Sequence, residues 1–260
     1  MAFDPSSFKT DEPRYYPVIL LLDLSGSMNA VEGGDIRRTG QIIYSDGQQW
    51  EIVEGGITRR DALYQAVKDM IDSFAAQRSR EKMIKVAIIT FSGNSATIHT
   101  PYTDVQVLQT QGIPEFQADG ETPLGAALKK AKEMLEDRTV TPGRWYAPSV
   151  VLVSDGQPND RWETPLSDLK NGRSAKCTRM AVPIGAEADV AMMEKFVSDR
   201  SLIFFAQDAG SIAESFKQVV MSVTKSQAVA KTINAPTATL KRSIQTTIKR
   251  VTQHDDEDDE

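Results

Sequence analysis

The stretch that most constrains this chain is Val18-Ile-Leu-Leu-Leu-Asp23-Leu-Ser25-Gly-Ser27-Met28. It opens with five uninterrupted apolar residues, the length of a strand with no polar face. Such a strand must be covered on both sides, as in a parallel sheet flanked by helices. The run then stops on a carboxylate followed by two alternate serines. The C-terminal ends of strands are where open α/β sheets place their ligand sites. One carboxylate and two hydroxyls are hard oxygen donors, the set favoured by Mg²⁺ or Mn²⁺.

Downstream, strand and helix patterns alternate. Leu63, Ala66, Val67, Met70, Ile71 and Phe74 recur at the helical period within a helix expected over Arg59–Gln77. Met83–Phe91 reads as a strand, and Ala96–Thr100 as a short edge strand ended by Pro101. A short irregular helix is expected around Val105–Gln109. A longer one opens at Pro123, with Thr122 as its N-cap and Leu124, Ala127, Leu128, Ala131 and Leu135 inward. Ser149-Val-Val-Leu-Val-Ser154-Asp155-Gly156 is a second apolar strand ending in a carboxylate. Helices within Thr164–Asn171, at Asp189–Ser198 and at Ser211–Lys225 alternate with strands at Cys177–Ile184 and Leu202–Ala206. The alternation predicts a doubly wound α/β sheet, mostly parallel, with helices on both faces. Residues 1–14 read as a loose arm, 15–225 as the domain, 226–253 as an appendage or linker and 254–260 as an acidic tail.

One segment breaks the alternation. Residues 30–57, bracketed by two copies of Val-Glu-Gly-Gly, replace the helix due after the first strand. Gln41–Ser45 and Gln48–Ile52 flank Asp46-Gly47, which suits a two-residue type I′ turn. That turn sets Ile43 opposite Trp50 and Tyr44 opposite Gln49. Ile43, Trp50 and Ile52 then share one face, and Ile42, Tyr44 and Val53 the other. An isolated hairpin is marginal, so this one is either a lid on its own body or an arm that meets a partner. Tyr44 and Trp50, residue types enriched at interface hot spots, are the candidate partner contacts. Arg37, Arg38, Arg59 and Arg60 flank the hairpin, either to guide an acidic partner or simply as solvated charge.

Composition narrows the function. An apolar fraction of 40% with 25% charged residues is that of a soluble globular protein. No run reaches the ~20 apolar residues of a membrane span, and the first residues lack a secretory signal. The net charge of −6 is carried by the six acids Asp255–Glu260, which leaves a neutral body. Such a body gives no electrostatic case for nucleic acid or a membrane as partner. The tail itself is a solvated terminus or a partner-binding element. Cys177 is the single cysteine, so no internal disulfide or cysteine metal cluster forms; it reads as a buried small side chain.

With Thr122 at a helix start and Asp155 at a second strand end, Asp23-x-Ser25-x-Ser27 resembles the metal-ion-dependent adhesion site of von Willebrand factor type A domains. The resemblance spans about Tyr16 to Lys225. It implies a six-stranded sheet in the order 3-2-1-4-5-6, with strand 3 a short antiparallel edge. It also implies a bound Mg²⁺ or Mn²⁺: Ser25 and Ser27 would touch the ion, as would Thr122 in one of the family's two states, Asp23 and Asp155 would act directly or through water, and a protein partner's Asp or Glu would complete the shell. The passage Gly143-Arg-Trp145…Trp162 is most similar to bacterial TerY-type proteins, which implies a cytoplasmic stress-response or tellurite-resistance system with a kinase or phosphatase partner. Two features depart from the family pattern. Glu121 stands where glycine is common, adding a carboxylate that raises cation affinity or repels an acidic ligand. The 30–57 insertion is the other.

Enzymatic readings fare less well. A haloacid-dehalogenase-type phosphatase also starts from a strand ending in aspartate, but needs a second aspartate two residues on, where Ser25 stands. A serine hydrolase would need a histidine near its nucleophile, and only His99 and His254 exist. The Asp155 strand is bracketed by Trp145 and Trp162, each a core or a rim residue.

Overall fold

The computed structural model describes residues 14–32, 35–45, 48–77 and 83–233. In chain order, β1 (Tyr15–Asp23) is followed by the hairpin β2 (Ile36–Ser45) and β3 (Gln48–Gly55), then α1 (Arg59–Ala76), β4 (Met83–Ser92), β5 (Ser95–Asp104), α2 (Val105–Gln111) and α3 (Leu124–Glu136). The second half is β6 (Ser149–Ser154), α4 (Glu163–Leu169), β7 (Thr178–Pro183), α5 (Val190–Phe196) and α6 (Ile212–Ile233). The main sheet has the order β5-β4-β1-β6-β7, parallel except for β5 at one edge.

β1 is central, and alternation along it feeds two cores. Val18, Leu20 and Leu22 pack with the buried faces of α1, α2 and α6. Ile19 and Leu21 pack with those of α3, α4 and α5. All five of these β1 side chains are fully buried, which is why the run carries no polar residue until Asp23. Cys177 is buried in the second core, the buried small side chain expected of it. Trp162 belongs to that core too, whereas Trp145 lies tilted against Tyr15 and edge-on to Tyr102 at the far end of β1 from Asp23.

Several expectations are corrected. Among the described residues the sheet has five strands rather than six. The segment at the sixth position forms only isolated bridges, Ala181–Ile203 and Ile184–Ala206. It is confined between a 3₁₀ turn at Arg200–Leu202 and the capped turn at Asp208, which leaves too little chain for a ladder. The antiparallel edge is ten residues long, and Pro101 does not end it. Pro101 lies at a register irregularity of an edge strand, where a missing N–H breaks no ladder bond.

The hairpin has the anticipated register, Ile43 with Trp50 and Tyr44 with Gln49, and forms its own two-stranded sheet. Its Asp46-Gly47 turn lies outside the described residues. The chain divides into Met1–Val223 and Thr224–Glu260. α6 continues to Ile233, so the first part of the stretch read as an appendage is helical. The rest of 226–253, the acidic tail and the arm up to residue 13 lie outside the described residues.

Candidate metal centre

The order of the sheet reverses between β1 and β6. β1 leads outward to β4 and β5 on one side, while β6 and β7 lie on the other. Parallel pairing of Leu22 with Val153 brings Asp23 and Ser154-Asp155 to the same end of this switch point. The 119–122 loop is stitched over it by Asp119 N–H on Leu24 O at 2.9 Å and Gly26 N–H on Gly120 O at 2.8 Å. Gly120 (φ +67°) permits this approach: a Cβ there would stand 2.8 Å from the Gly93 Cα.

The side chains converge. Ser27 Oγ donates to Asp155 Oδ1 at 2.8 Å and lies 3.0 Å from Ser25 Oγ. Asp23 Oδ1 accepts the Ser25 N–H at 2.9 Å, and Asp23 Oδ2 accepts the Ser154 hydroxyl at 2.5 Å. A Cβ built on Gly156 would lie 3.7 Å from Thr122 Oγ1 and 3.9 Å from Ser27 Oγ, and Thr122 lines the same cavities as Ser27. Because Ser27 gives its proton to Asp155, the Ser25 hydroxyl donates to it, and one Ser27 lone pair is left for a cation. Among the described residues no three His, Cys, Asp or Glu side chains cluster for a metal. An ion placed here would meet two carboxylates and the serine and threonine hydroxyls, a hard, oxygen-only donor set of the kind that suits Mg²⁺ or Mn²⁺.

The electrostatics are set by burial and by one arginine. Burial, then the charge of Asp155, push the Asp23 carboxyl up to about 7, against hydrogen bonds from Ser154 and Ser25. Arg59, expected at the surface either as a guide for acidic partners or as solvated charge, is buried instead. Its Nη1 donates to Asp155 Oδ2 at 2.8 Å and its Nη2 pairs with Glu32. Burial alone would lower its pKa, but Glu32 and Asp155 together raise it. The arginine takes the second Asp155 oxygen and leaves Oδ1 for the hydroxyl ring. The other three arginines have acidic neighbours at the surface: Arg37 with Glu54, Arg38 with Glu51 and Arg60 with Asp61.

A family profile for the von Willebrand factor type A domain matches residues 18–157, more than half of the chain. The chain belongs to the von Willebrand factor type A family. No curated protein matches it. Solved structures share the fold at low identity. Proximal thread matrix protein 1 from the mussel byssus, with a zinc-occupied MIDAS motif, superposes with a TM-score of 0.58 at 16% identity, over 80% of this chain and 48% of that one. The pilus adhesin SpaC from Lactobacillus rhamnosus GG gives 0.56 at 14%, over 81% and 30%. A von Willebrand factor type A protein from Catenulispora acidiphila gives 0.54 at 14%, over 81% and 43%. The chain thus spans about half the length of the mussel protein, and less of the other two.

Within this type A domain, Thr122 is not the helix cap. Pro123 occupies the cap position without a side-chain bond, and α3 begins at Leu124. Asp160 caps the helix from a distant loop: its carboxylate accepts the Gly125 N–H at 2.8 Å and the Ala126 N–H at 3.0 Å. A Cβ on Gly125 would meet Arg161 O at 2.6 Å, so glycine is what lets the loop in. Sequence reading missed the capping role of Asp160 and the burial of Arg59. Freed from capping, the Thr122 hydroxyl is available to the site. Glu121 is exposed beside it and accepts from the Asn159 amide.

A cleft of about 580 Å³ joins this centre to the hairpin, lined by Ser25, Ser27 and Thr122 on one side and by Ile43, Ile52 and Val53 on the other. Of the candidate partner contacts, Glu121 lines this cleft and Tyr44 does not; Tyr44 is 79% exposed elsewhere on the hairpin. Trp50 is placed by register only, opposite Ile43.

Proposed function

We propose that this type A domain is a divalent-cation-dependent protein-interaction module. Ser25, Ser27 and Thr122 hold Mg²⁺ or Mn²⁺ through their hydroxyls, Asp23 and Asp155 hold it directly or through water, and an Asp or Glu of a protein partner completes the shell. The observation that carries this reading is the meeting of two strand-end carboxylates with a hydroxyl ring, tied by the 2.8 Å contact of Ser27 with Asp155. Mg²⁺ wants six oxygens and keeps exchangeable positions when the protein offers few. One of the two carboxylates already shares its charge with Arg59, so an ion here stays electrophilic toward an external carboxylate.

In this reading the bound ion supplies an attachment point and the protein is not an enzyme. The finer proposal, a cytoplasmic bacterial stress-response or tellurite-resistance role with a kinase or phosphatase partner and Mg²⁺ as the resident ion, is supported by the TerY-like passage from Gly143 to Trp162. Calorimetric titration with Mg²⁺ and Mn²⁺ tests the centre. The wild type is expected to bind both, and Asp23→Ala and the milder Ser27→Ala to lose at least about tenfold in affinity, the scale set by losing one ligand or its orienting partner. An Asp23→Ala variant with wild-type affinity would sink the assignment. Phosphate-ester turnover lost in Asp23→Asn would return the protein to the enzymes.

A further inference from the structure

We propose that the inserted hairpin and the metal loops form one docking cleft, selective for an extended protein segment that carries a single carboxylate, a branched aliphatic side chain next to it, and basic rather than acidic flanks. The proposal rests on the metal-dependent reading above and specifies the partner that site accepts.

Geometry supplies the first argument. Ile43 and Ile52 share a hairpin face by strand alternation, and both line the cavity that Ser25, Ser27 and Thr122 also line, together with Glu51 and Val53 of the other face. The hairpin is anchored at its root. Val31 bridges Thr58, the Glu32 N–H donates to Ile57 O at 3.0 Å, and the Arg59 N–H donates to Ala30 O at 3.0 Å. The Arg59 side chain then ties Glu32 to Asp155. The root therefore hands the hairpin's position directly to a residue of the metal centre. Ile43 is 49% exposed and Ile52 36%, so both have apolar surface to cover, at a size of cavity that suits a few side chains.

Charge supplies the second. Glu51, Asp119 and Glu121 line the cleft, and no lysine or arginine is among its lining residues. Glu51 is paired with Arg38; Glu121 has an amide partner, which leaves its charge uncompensated. Among the cleft's lining residues a bound cation would be the one positive charge, with Arg38 and Arg60 behind Glu51 and Asn29. It takes one carboxylate, and any further acid meets like charge at the rim. Basic flanks meet Asp119 and Glu121 instead. The rim rejects an acid-rich segment and the apolar wall rewards an aliphatic neighbour.

Panning a displayed library of random peptides on the full chain with saturating Mg²⁺ tests this. Enriched peptides are expected to share one Asp or Glu beside Ile, Leu or Val, with Lys or Arg nearby, and to be released by EDTA. Ile43→Ser with Ile52→Ser, both at exposed positions, is expected to weaken the enriched peptides at least about tenfold, the loss typical of a hot spot, while Mg²⁺ affinity stays unchanged. Glu121→Gln is expected to relax the demand for basic flanks. Enrichment of acidic runs, or binding indifferent to the isoleucine substitutions, overturns the cleft while leaving the metal centre standing. Peptides without an acid, peptides that survive EDTA, or no enrichment at all overturn both.

Discussion

Arg59 reaches Asp155 with one nitrogen and Glu32 with the other, so two buried or half-buried carboxylates share one counter-ion. Arg59→Met keeps most of the packing and strands both acids. Removing one member of a buried ion pair costs about 3–5 kcal/mol, and a loss of that size is expected in denaturant unfolding, with Arg59→Lys recovering part of it. Arg59→Met with wild-type stability would mean that water already serves Asp155. Asp23 poses a pH question at the same scale. Burial holds its carboxyl near 7 in the folded protein, against 3.8 for the ordinary group. The folded state therefore binds that proton more tightly than the unfolded chain does, so this group's contribution to stability is full below 3.8 and is lost as pH rises toward 7. In EDTA, the thermal midpoint of the wild type is expected to fall relative to that of Asp23→Asn across this window. Parallel pH profiles for the two proteins would refute it.

At the level of elements, the hairpin and the core are separable. β2 and β3 pair only with each other among the described strands, and the zipped root at Val31–Thr58 lies outside them. Replacing residues 33–55 with an Asn-Gly turn is expected to leave the thermal midpoint and Mg²⁺ affinity near wild type while abolishing peptide capture; unchanged capture would make the hairpin a bystander. The cap of α3 behaves differently. Asp160→Ala removes the acceptor for two helix N–H groups and is expected to cost about 1–2 kcal/mol. This cap also shows where sequence reading stops. The core strands, the hairpin register and the Asp23, Ser25, Ser27 and Asp155 cluster were legible because each is local: an all-apolar run, a two-residue turn, a spacing at a strand end. Thr122 next to Pro123 imitates a helix cap, and only the fold shows that a carboxylate 35 residues beyond Gly125 does the capping. Arg59 stands beside Arg60 in a pair that reads as solvated charge. Its burial follows from where the root of an insertion sets it down, and no local pattern records that. The sixth strand failed for the same reason, since Leu202–Ala206 has strand composition but is squeezed between two turns.

For the whole molecule, the centre sits where β1 and β6, the strands that organise both cores, run out. Ion binding should therefore be coupled to global unfolding, because Asp23 and Asp155 come together only when the two strands are paired. A ligand that binds only the folded state stabilises it by about 2.7 kcal/mol at a hundred times its Kd. For a domain of about 150–250 residues each kcal/mol moves the midpoint by about 2–4 °C, so saturating Mg²⁺ is expected to raise it by about 5–11 °C over EDTA. The same rise is expected in the variant with its hairpin replaced, since every proposed ligand lies outside residues 33–55. It should vanish in Ser27→Ala together with Asp155→Asn, which remove a hydroxyl and a charge from the ring without opening either core. A full shift in that double variant would mean that Mg²⁺ acts through surface acids such as Asp119 and Glu121. No shift in the wild type would mean that the paired strand ends hold no ion.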